Sequence, residues 1–179
     1  MLQMVRSLIA FLILLAASIS VAQTTDGRKS LIPTTKLQAV RKTKYRVLVP
    51  TYVPAGFRID SCELKKDKEA MLTDWTVSYK NSKTKASAML QMTSEGVGDP
   101  LFTLPDGDVL DPTGSIWAKS PILGKVEVYY VKKGKVKMAN CTWYDVSKKT
   151  FPKMAMMMSE GIEPSELKKM IESLRWLQK

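Results

Sequence analysis

The 179-residue sequence contains no histidine. Without imidazole there can be no Ser-His-Asp or Cys-His nucleophilic site, and no histidine ligand for zinc or copper. The two cysteines are too few for a four-thiolate zinc site or an iron–sulfur cluster. These absences exclude most familiar hydrolases and leave Ser-Lys chemistry, carboxylate chemistry or none. Because no local motif marks a Ser-Lys dyad, we predict a protein with no enzymatic activity, no catalytic residues, no cofactor and no metal site.

The N-terminus carries an apolar run, Leu8–Ala17, which follows Arg6 and precedes small residues that end at Ala22. This order predicts a signal peptide at residues 1–22. A retained membrane anchor is the alternative, but the run is shorter than the roughly 20 residues that a spanning helix needs. Gln23 follows the predicted cleavage site, so lipid modification of a cysteine is not expected. We therefore expect an exported protein, periplasmic or extracellular, without a permanent membrane anchor.

Basic residues outnumber acidic residues by 28 to 17, a formal net charge of +11. Only Arg6 belongs to the predicted signal peptide, so the basicity belongs to the mature chain. A basic exported domain attracts anionic lipid head groups and envelope polymers, and we find no motif for nucleic acid. The predicted polyanion contact consists of Lys80, Lys83, Lys85, Lys132, Lys133 and Lys135.

Further lysines cluster in other predicted turns, at Lys65, Lys66, Lys68, Lys148 and Lys149. In an up-and-down sheet, successive turns point to opposite ends, so the clusters need not form one patch. Solvated charges that keep the sheet edges soluble are the favoured alternative to a binding patch.

Cys62 and Cys141 both belong to the predicted mature chain. An even number of cysteines in an exported protein predicts a disulfide. That bond would close a loop of about 80 residues and stabilise the fold by about 4 to 5 kcal/mol in the chain-entropy account. Two buried thiols are the alternative.

Alternation of apolar and polar residues predicts most of the chain to be strand. The predicted strands, several of them joined by hairpin turns, are 57–64, 75–79, 86–92, 115–118, 125–132, 135–146 and 151–158. Pro54-Ala55-Gly56 supplies a turn before the first of these strands. Residues 94–113 are rich in Gly, Pro and Asp, which predicts a long loop that is either functional or a partly ordered crossover.

Two helices are predicted at the ends of the mature chain. A short one spans about Thr35 to Lys42, and a second begins at Pro164. The second has an apolar stripe formed by Leu167, Met170, Ile171 and Leu174. These patterns predict an α+β fold with an antiparallel sheet of about six to eight strands, a short N-terminal helix and a C-terminal helix packed on one face. We expect a flexible lead-in at 23–34 and a single α+β domain at 35–179.

Methionine is concentrated near the end of the last predicted strand. Met154, Met156 and Met158 would share one face of that strand, and Met157 would lie on the other. Packing under the C-terminal helix is the favoured interpretation. An apolar groove formed by Met154, Met156 and Met158 is the second, and a Cu(I) site is the third.

An acidic cluster is formed by Asp106, Asp108 and Asp111, whose oxygens suit Ca²⁺. Their spacing lacks the full calcium-loop pattern and its distal glutamate. We therefore interpret the cluster as an acidic turn.

Residues 49–57 read VPTYVPAGF and match the pattern P-x-Y-[LV]-P-x-G-[FY]. Together with Leu123-Gly124-Lys125-Val126, Trp143 and the helix start at Ser165-Glu166-Leu167, this pattern resembles a family of bacterial extracytoplasmic domains of unknown function. Those domains occur in anti-sigma-factor-like proteins and are distantly similar to lipoprotein-sorting carriers. The resemblance covers about residues 46–176 and implies the fold and an envelope protein as partner, without catalytic residues. The predicted signal peptide departs from the family's usual regulatory region and membrane anchor.

These observations predict a non-enzymatic exported binding or sensor-type module at the cell envelope. Its partner would be an envelope protein or an anionic envelope polymer or lipid. The alternative is a periplasmic carrier of lipid or another amphiphile in a groove between sheet and helix. A hydrolase of unfamiliar type is the weakest interpretation.

Overall fold

A computed structural model describes residues 34–42, 46–66, 72–94, 102–104, 106–144 and 152–177. All of these residues belong to one unit, 32–179. The predicted signal peptide and residues 23–33 of the predicted lead-in lie outside the described residues. So do Lys68, Lys148, Lys149 and residues 95–101 of the predicted long loop.

The described part of the chain is mostly strand. Its helices are α1 (Thr34–Arg41) and α2 (Pro164–Glu172). Its strands are β1 (Leu48–Pro50), β2 (Phe57–Lys66), β3 (Leu72–Asn81), β4 (Ser87–Thr93), β5 (Phe102–Thr103), β6 (Val109–Leu110), β7 (Gly114–Ser120), β8 (Gly124–Lys133), β9 (Val136–Tyr144), β10 (Met154–Glu160) and β11 (Leu174–Trp176). The main sheet has seven antiparallel strands in the order β2-β3-β4-β10-β9-β8-β7, while β1 pairs with β11 and β5 pairs with β6.

The predicted antiparallel sheet of six to eight strands is confirmed, and two helices lie where the sequence placed them. The description α+β holds only loosely, because strand dominates the described residues. Leu174 lies in β11 and not in the C-terminal helix, although its side chain is fully buried. β11, which begins directly after the helix cap Ser173, was not predicted from the sequence.

The turn before β2 has the predicted proline and glycine chemistry. The Phe57 N–H donates to the carbonyl oxygen of Pro54 over 3.2 Å, which closes the turn. Gly56 has a φ of +81°, a conformation that residues with a side chain rarely adopt. The turn thereby directs the chain from β1 into β2.

The remainder of the VPTYVPAGF segment holds α2 in place. The Thr51 N–H donates to the Ser173 carbonyl oxygen over 3.2 Å, and the Tyr52 N–H donates to the Ser173 hydroxyl over 2.9 Å. The Tyr52 hydroxyl also donates to Glu166 of α2. Hydrogen bonds from Lys169 and then from Tyr52 lower the pKa of the Glu166 carboxyl. The segment therefore has a structural role, which is to fasten the C-terminal helix.

One face of the main sheet forms the core with α2. Leu167, Met170 and Ile171 of α2 are fully buried, and the helix packs mainly against β7. Trp75 of β3 is also fully buried, and its Nε1 donates to the Leu48 carbonyl oxygen over 3.2 Å. We call this side of the sheet the core face and the other side the second face.

The predicted disulfide between Cys62 and Cys141 is wrong for this fold, because no such bond joins them. Both cysteines face the core in one row of directly opposed residues. Across the sheet, the row reads Cys62, Val77, Leu90, Met157 and Cys141. Four inter-strand spacings of about 4.8 Å place the cysteines about 19 Å apart along the sheet, far beyond the roughly 4.4 to 6.8 Å between the Cα atoms of a disulfide.

The position of β10 decides where the hairpins lie. This strand comes late in the chain, yet it lies between β4 and β9 and is antiparallel to both. Consequently β4 and β9 run in the same direction. Each is the second strand of its own hairpin, so the β3–β4 turn and the β8–β9 turn lie at the same end of the sheet.

Candidate functional site

The shared position of the two turns brings the predicted lysines together. We call this end of the sheet, residues 80–86 and 132–135, the lysine end. The predicted contact residues that belong to it, all exposed, are Lys80, Lys83, Lys85, Lys132, Lys133 and Lys135. The sequence left open whether the clusters form one patch, and the strand order brings these two together. Lys65 and Lys66 lie at the other end of β2.

One of these six lysines, Lys132, forms an ion pair with Glu163. Lys132 Nζ lies 2.9 Å from Glu163 Oε2, and Lys137 Nζ pairs with Glu163 Oε1. The hydrogen bond from Lys137, and then the one from Lys132, lowers the pKa of the Glu163 carboxyl. Among the described residues, the other five lysines of the lysine end have no ion pair, so their ammonium charges face solvent.

Lys85 is the one non-glycine residue in the described ranges with a positive φ, 63°. Its N–H donates to the Asn81 carbonyl oxygen over 2.9 Å, and the Asn81 N–H donates to the Ala86 carbonyl oxygen over 2.9 Å. A left-handed conformation costs a residue with a side chain about 1 to 2 kcal/mol. The hairpin therefore holds a lysine at a position that glycine would occupy more favourably.

A cleft of about 580 Å³ lies on the second face, next to the lysine end. Its apolar side chains include Met89, Met138, Met158 and Phe102. Met89 and Met158 are direct cross-strand partners, and Phe102 is 5% exposed. We call this feature the methionine cleft.

Charged side chains also line the methionine cleft: Lys80, Lys85, Asp60 and Glu160. A second cavity of about 490 Å³ adjoins it. The two cavities share lining residues, among them Lys85, Met138 and Glu160, and the second one adds Lys135 and Lys137. The apolar part of the cleft, its floor, is therefore continuous with the part lined by lysines, its mouth.

The interpretation of the methionine run as packing under the C-terminal helix holds for Met157 and is wrong for Met154, Met156 and Met158. Met154, Met156 and Met158 lie on the second face, whereas Met157 belongs to the core with α2. Met154 and Met156 are buried, and Met158 reaches the cleft. Any groove formed by this run thus lies on the side of the sheet away from the helix.

The acidic cluster shows the geometry of a turn. The Asp108 N–H donates to Asp106 Oδ1 over 3.2 Å, and the aspartates are exposed. Within the described ranges, no three His, Cys, Asp or Glu side chains are grouped so that they could hold a metal ion. The same residues include no helix that is long and apolar enough to cross a membrane.

Sequence reasoning missed Met89, Met138 and Phe102 as partners of Met158. For Met89 and Met138, the available signal was a methionine within the alternating pattern of a predicted strand. This signal indicates a shared apolar surface only when β4 and β9 are known to be the neighbours of β10.

Comparison of the chain with models of protein families, with curated proteins and with solved structures gave no match.

Proposed function

We propose that this chain is a non-enzymatic, exported binding module that attaches to an anionic lipid surface of the cell envelope through the lysine end. The observation that carries the proposal is the convergence of two lysine-bearing turns at one end of the sheet. Five exposed ammonium groups without an ion pair among the described residues produce a positive field there. A field of this kind attracts anionic head groups within a Debye length, about 8 Å at physiological salt.

Binding without catalysis fits the composition of the sequence. The absence of histidine removes the commonest acid, base and nucleophile partner. Tyr79 and Cys141 are buried, and burial raises the pKa of both groups, which makes them poor nucleophiles at neutral pH. The resemblance of residues 49–57 to an extracytoplasmic domain family supports the same proposal, as does the predicted signal peptide.

Vesicle binding tests the proposal with two matched double variants. Lys83→Gln/Lys133→Gln removes two charges at the lysine end, and Lys65→Gln/Lys66→Gln removes two at the opposite end. Each lysine near an anionic surface contributes about 1 kcal/mol, so the first variant should bind phosphatidylglycerol vesicles roughly 30-fold more weakly. The second variant should stay close to the unsubstituted protein in the same sedimentation assay.

Neutral phosphatidylcholine vesicles and added salt are the controls of the vesicle-binding experiment. Binding should vanish on neutral vesicles and fall steeply between low and physiological salt. Equal losses in both double variants, or binding that ignores lipid charge, would refute attachment through the lysine end.

A further inference from the structure

We propose that the methionine cleft binds a single-chain anionic amphiphile, a free fatty acid, with its carboxylate at the lysine end. The proposal rests on the lysine end being the part of the molecule that meets an anionic surface. It adds a discrete ligand to that surface contact.

The floor of the cleft suits an alkyl chain. Met89, Met138 and Met158 come from three neighbouring strands and present flexible thioether side chains on one face. Such side chains adapt to apolar ligands of variable shape. Phe102, a residue that is 5% exposed, also lines the cleft, so the cleft has an apolar wall as well as an apolar floor.

The mouth of the cleft suits a carboxylate. The lysines that line the two joined cavities, Lys80, Lys85, Lys135 and Lys137, outnumber the carboxylates Asp60 and Glu160. Lys137 is held by Glu163, whereas the other three ammonium groups have no ion pair within the described ranges. Charge complementarity therefore favours an anionic head group, and the same positive charge disfavours a metal cation on the thioethers.

The size of the cavities suits a small amphiphile. Their volumes, about 580 Å³ and about 490 Å³, each fall within the roughly 300 to 1,000 Å³ that is usual for small-ligand sites. Because they join at Lys85 and Met138, a chain in the larger cavity can place its head group in the smaller one.

Substitution of Glu160 should change fatty-acid affinity in the direction opposite to substitution of the lysines. It lines both cavities, and no ion pair within the described ranges neutralises it. A carboxylate bound nearby would be repelled by it. Glu160→Gln should therefore strengthen fatty-acid binding several-fold, a gain that loss of structure cannot produce.

The experiment is a titration of the delipidated full chain with dodecanoate and with dodecanamide, which has the same chain without the charge. Lys85→Gln/Lys135→Gln should weaken dodecanoate binding about tenfold and leave dodecanamide binding unchanged. Met158→Glu, which places a charge on the apolar floor, should weaken both ligands. Lys65→Gln/Lys66→Gln is the control and should change neither.

The outcomes separate this inference from the proposed function. Absence of dodecanoate binding, or equal effects of the lysine variant on both ligands, would overturn the fatty-acid site even if anionic vesicles still bind. Conversely, Lys83→Gln/Lys133→Gln should weaken vesicle binding roughly 30-fold and retain dodecanoate binding, since neither residue lines the cavities. Loss of dodecanoate binding in that variant would also count against the site.

Discussion

Reduction should leave the stability of this protein unchanged, although the sequence has the cysteine pattern of an exported disulfide protein. Cys62 and Cys141 lie at the two ends of one row across five strands. The intervening strands β3, β4 and β10 keep the thiols about 19 Å apart along the sheet. Bridging them would require the sheet to be taken apart.

The presence and the absence of a disulfide predict very different changes of Tm on reduction. A disulfide closing about 80 residues would contribute about 4 to 5 kcal/mol. For a chain of this size, that corresponds to roughly 8 to 20 °C in Tm. The structure instead predicts a change of less than about 1 °C when a phosphine reductant is added, measured by calorimetry or circular dichroism.

A mutant cycle provides an independent measurement. Cys62→Ala and Cys141→Ala should each cost about 1 kcal/mol through lost packing, and the double variant should cost their sum within about 0.5 kcal/mol. A disulfide would produce strong non-additivity, because either single substitution would already remove the whole bond. Urea titrations with and without reductant measure all four proteins.

Thiol labelling completes the test. Burial raises the pKa of the Cys141 thiol to about 12, so little thiolate is present at pH 8 and alkylation of the folded protein should be slow. After unfolding without reductant, mass spectrometry should show two alkylated cysteines. A mass without both additions, or a Tm that falls by several degrees on reduction, would refute the reasoning.

Two further substitutions test local features. Lys85→Gly should raise the free energy of unfolding by about 0.5 to 1 kcal/mol in urea titrations, because glycine accepts the positive φ; a loss of stability would contradict that reading of the turn. Glu163 has a lowered pKa in the folded state, so its ion pairs with Lys137 and Lys132 stabilise the fold above the unfolded pKa, and this contribution is lost as the pH falls through the folded pKa. Glu163→Gln should therefore flatten the dependence of Tm on pH below about pH 5, and an unchanged slope would contradict the assignment.

Local sequence patterns predicted the hairpins well and the global strand order poorly. The β8–β9 hairpin and the helix that begins at Pro164 depend on periodicity and turn chemistry within a few residues. The placement of β10 between β4 and β9 depends on pairing between residues as distant in sequence as Met89 and Met158. No local pattern contains that information, so the sequence could not show at which end of the sheet each turn lies.

The cysteine prediction failed for a related reason. Cys62 and Cys141 both face the core, but the sequence does not show how many strands separate them. The lysines were correctly identified as clusters, yet their convergence followed only from the topology. The candidate site is likewise a product of strand order, since Met138 and Met158 are brought together by β9 and β10.

The position of β10 also limits the order in which the strands can pair during folding. The segments that form β2 to β4 and β7 to β9 can each pair locally as they leave the ribosome, but the strand that joins them is complete only at Glu160. Pairing over such long sequence separations slows folding. Pairing of β1 comes later still, because its partner β11 ends at Trp176. The main sheet cannot close until the chain has been synthesised as far as Glu160, which suits a protein that we propose is exported before it folds.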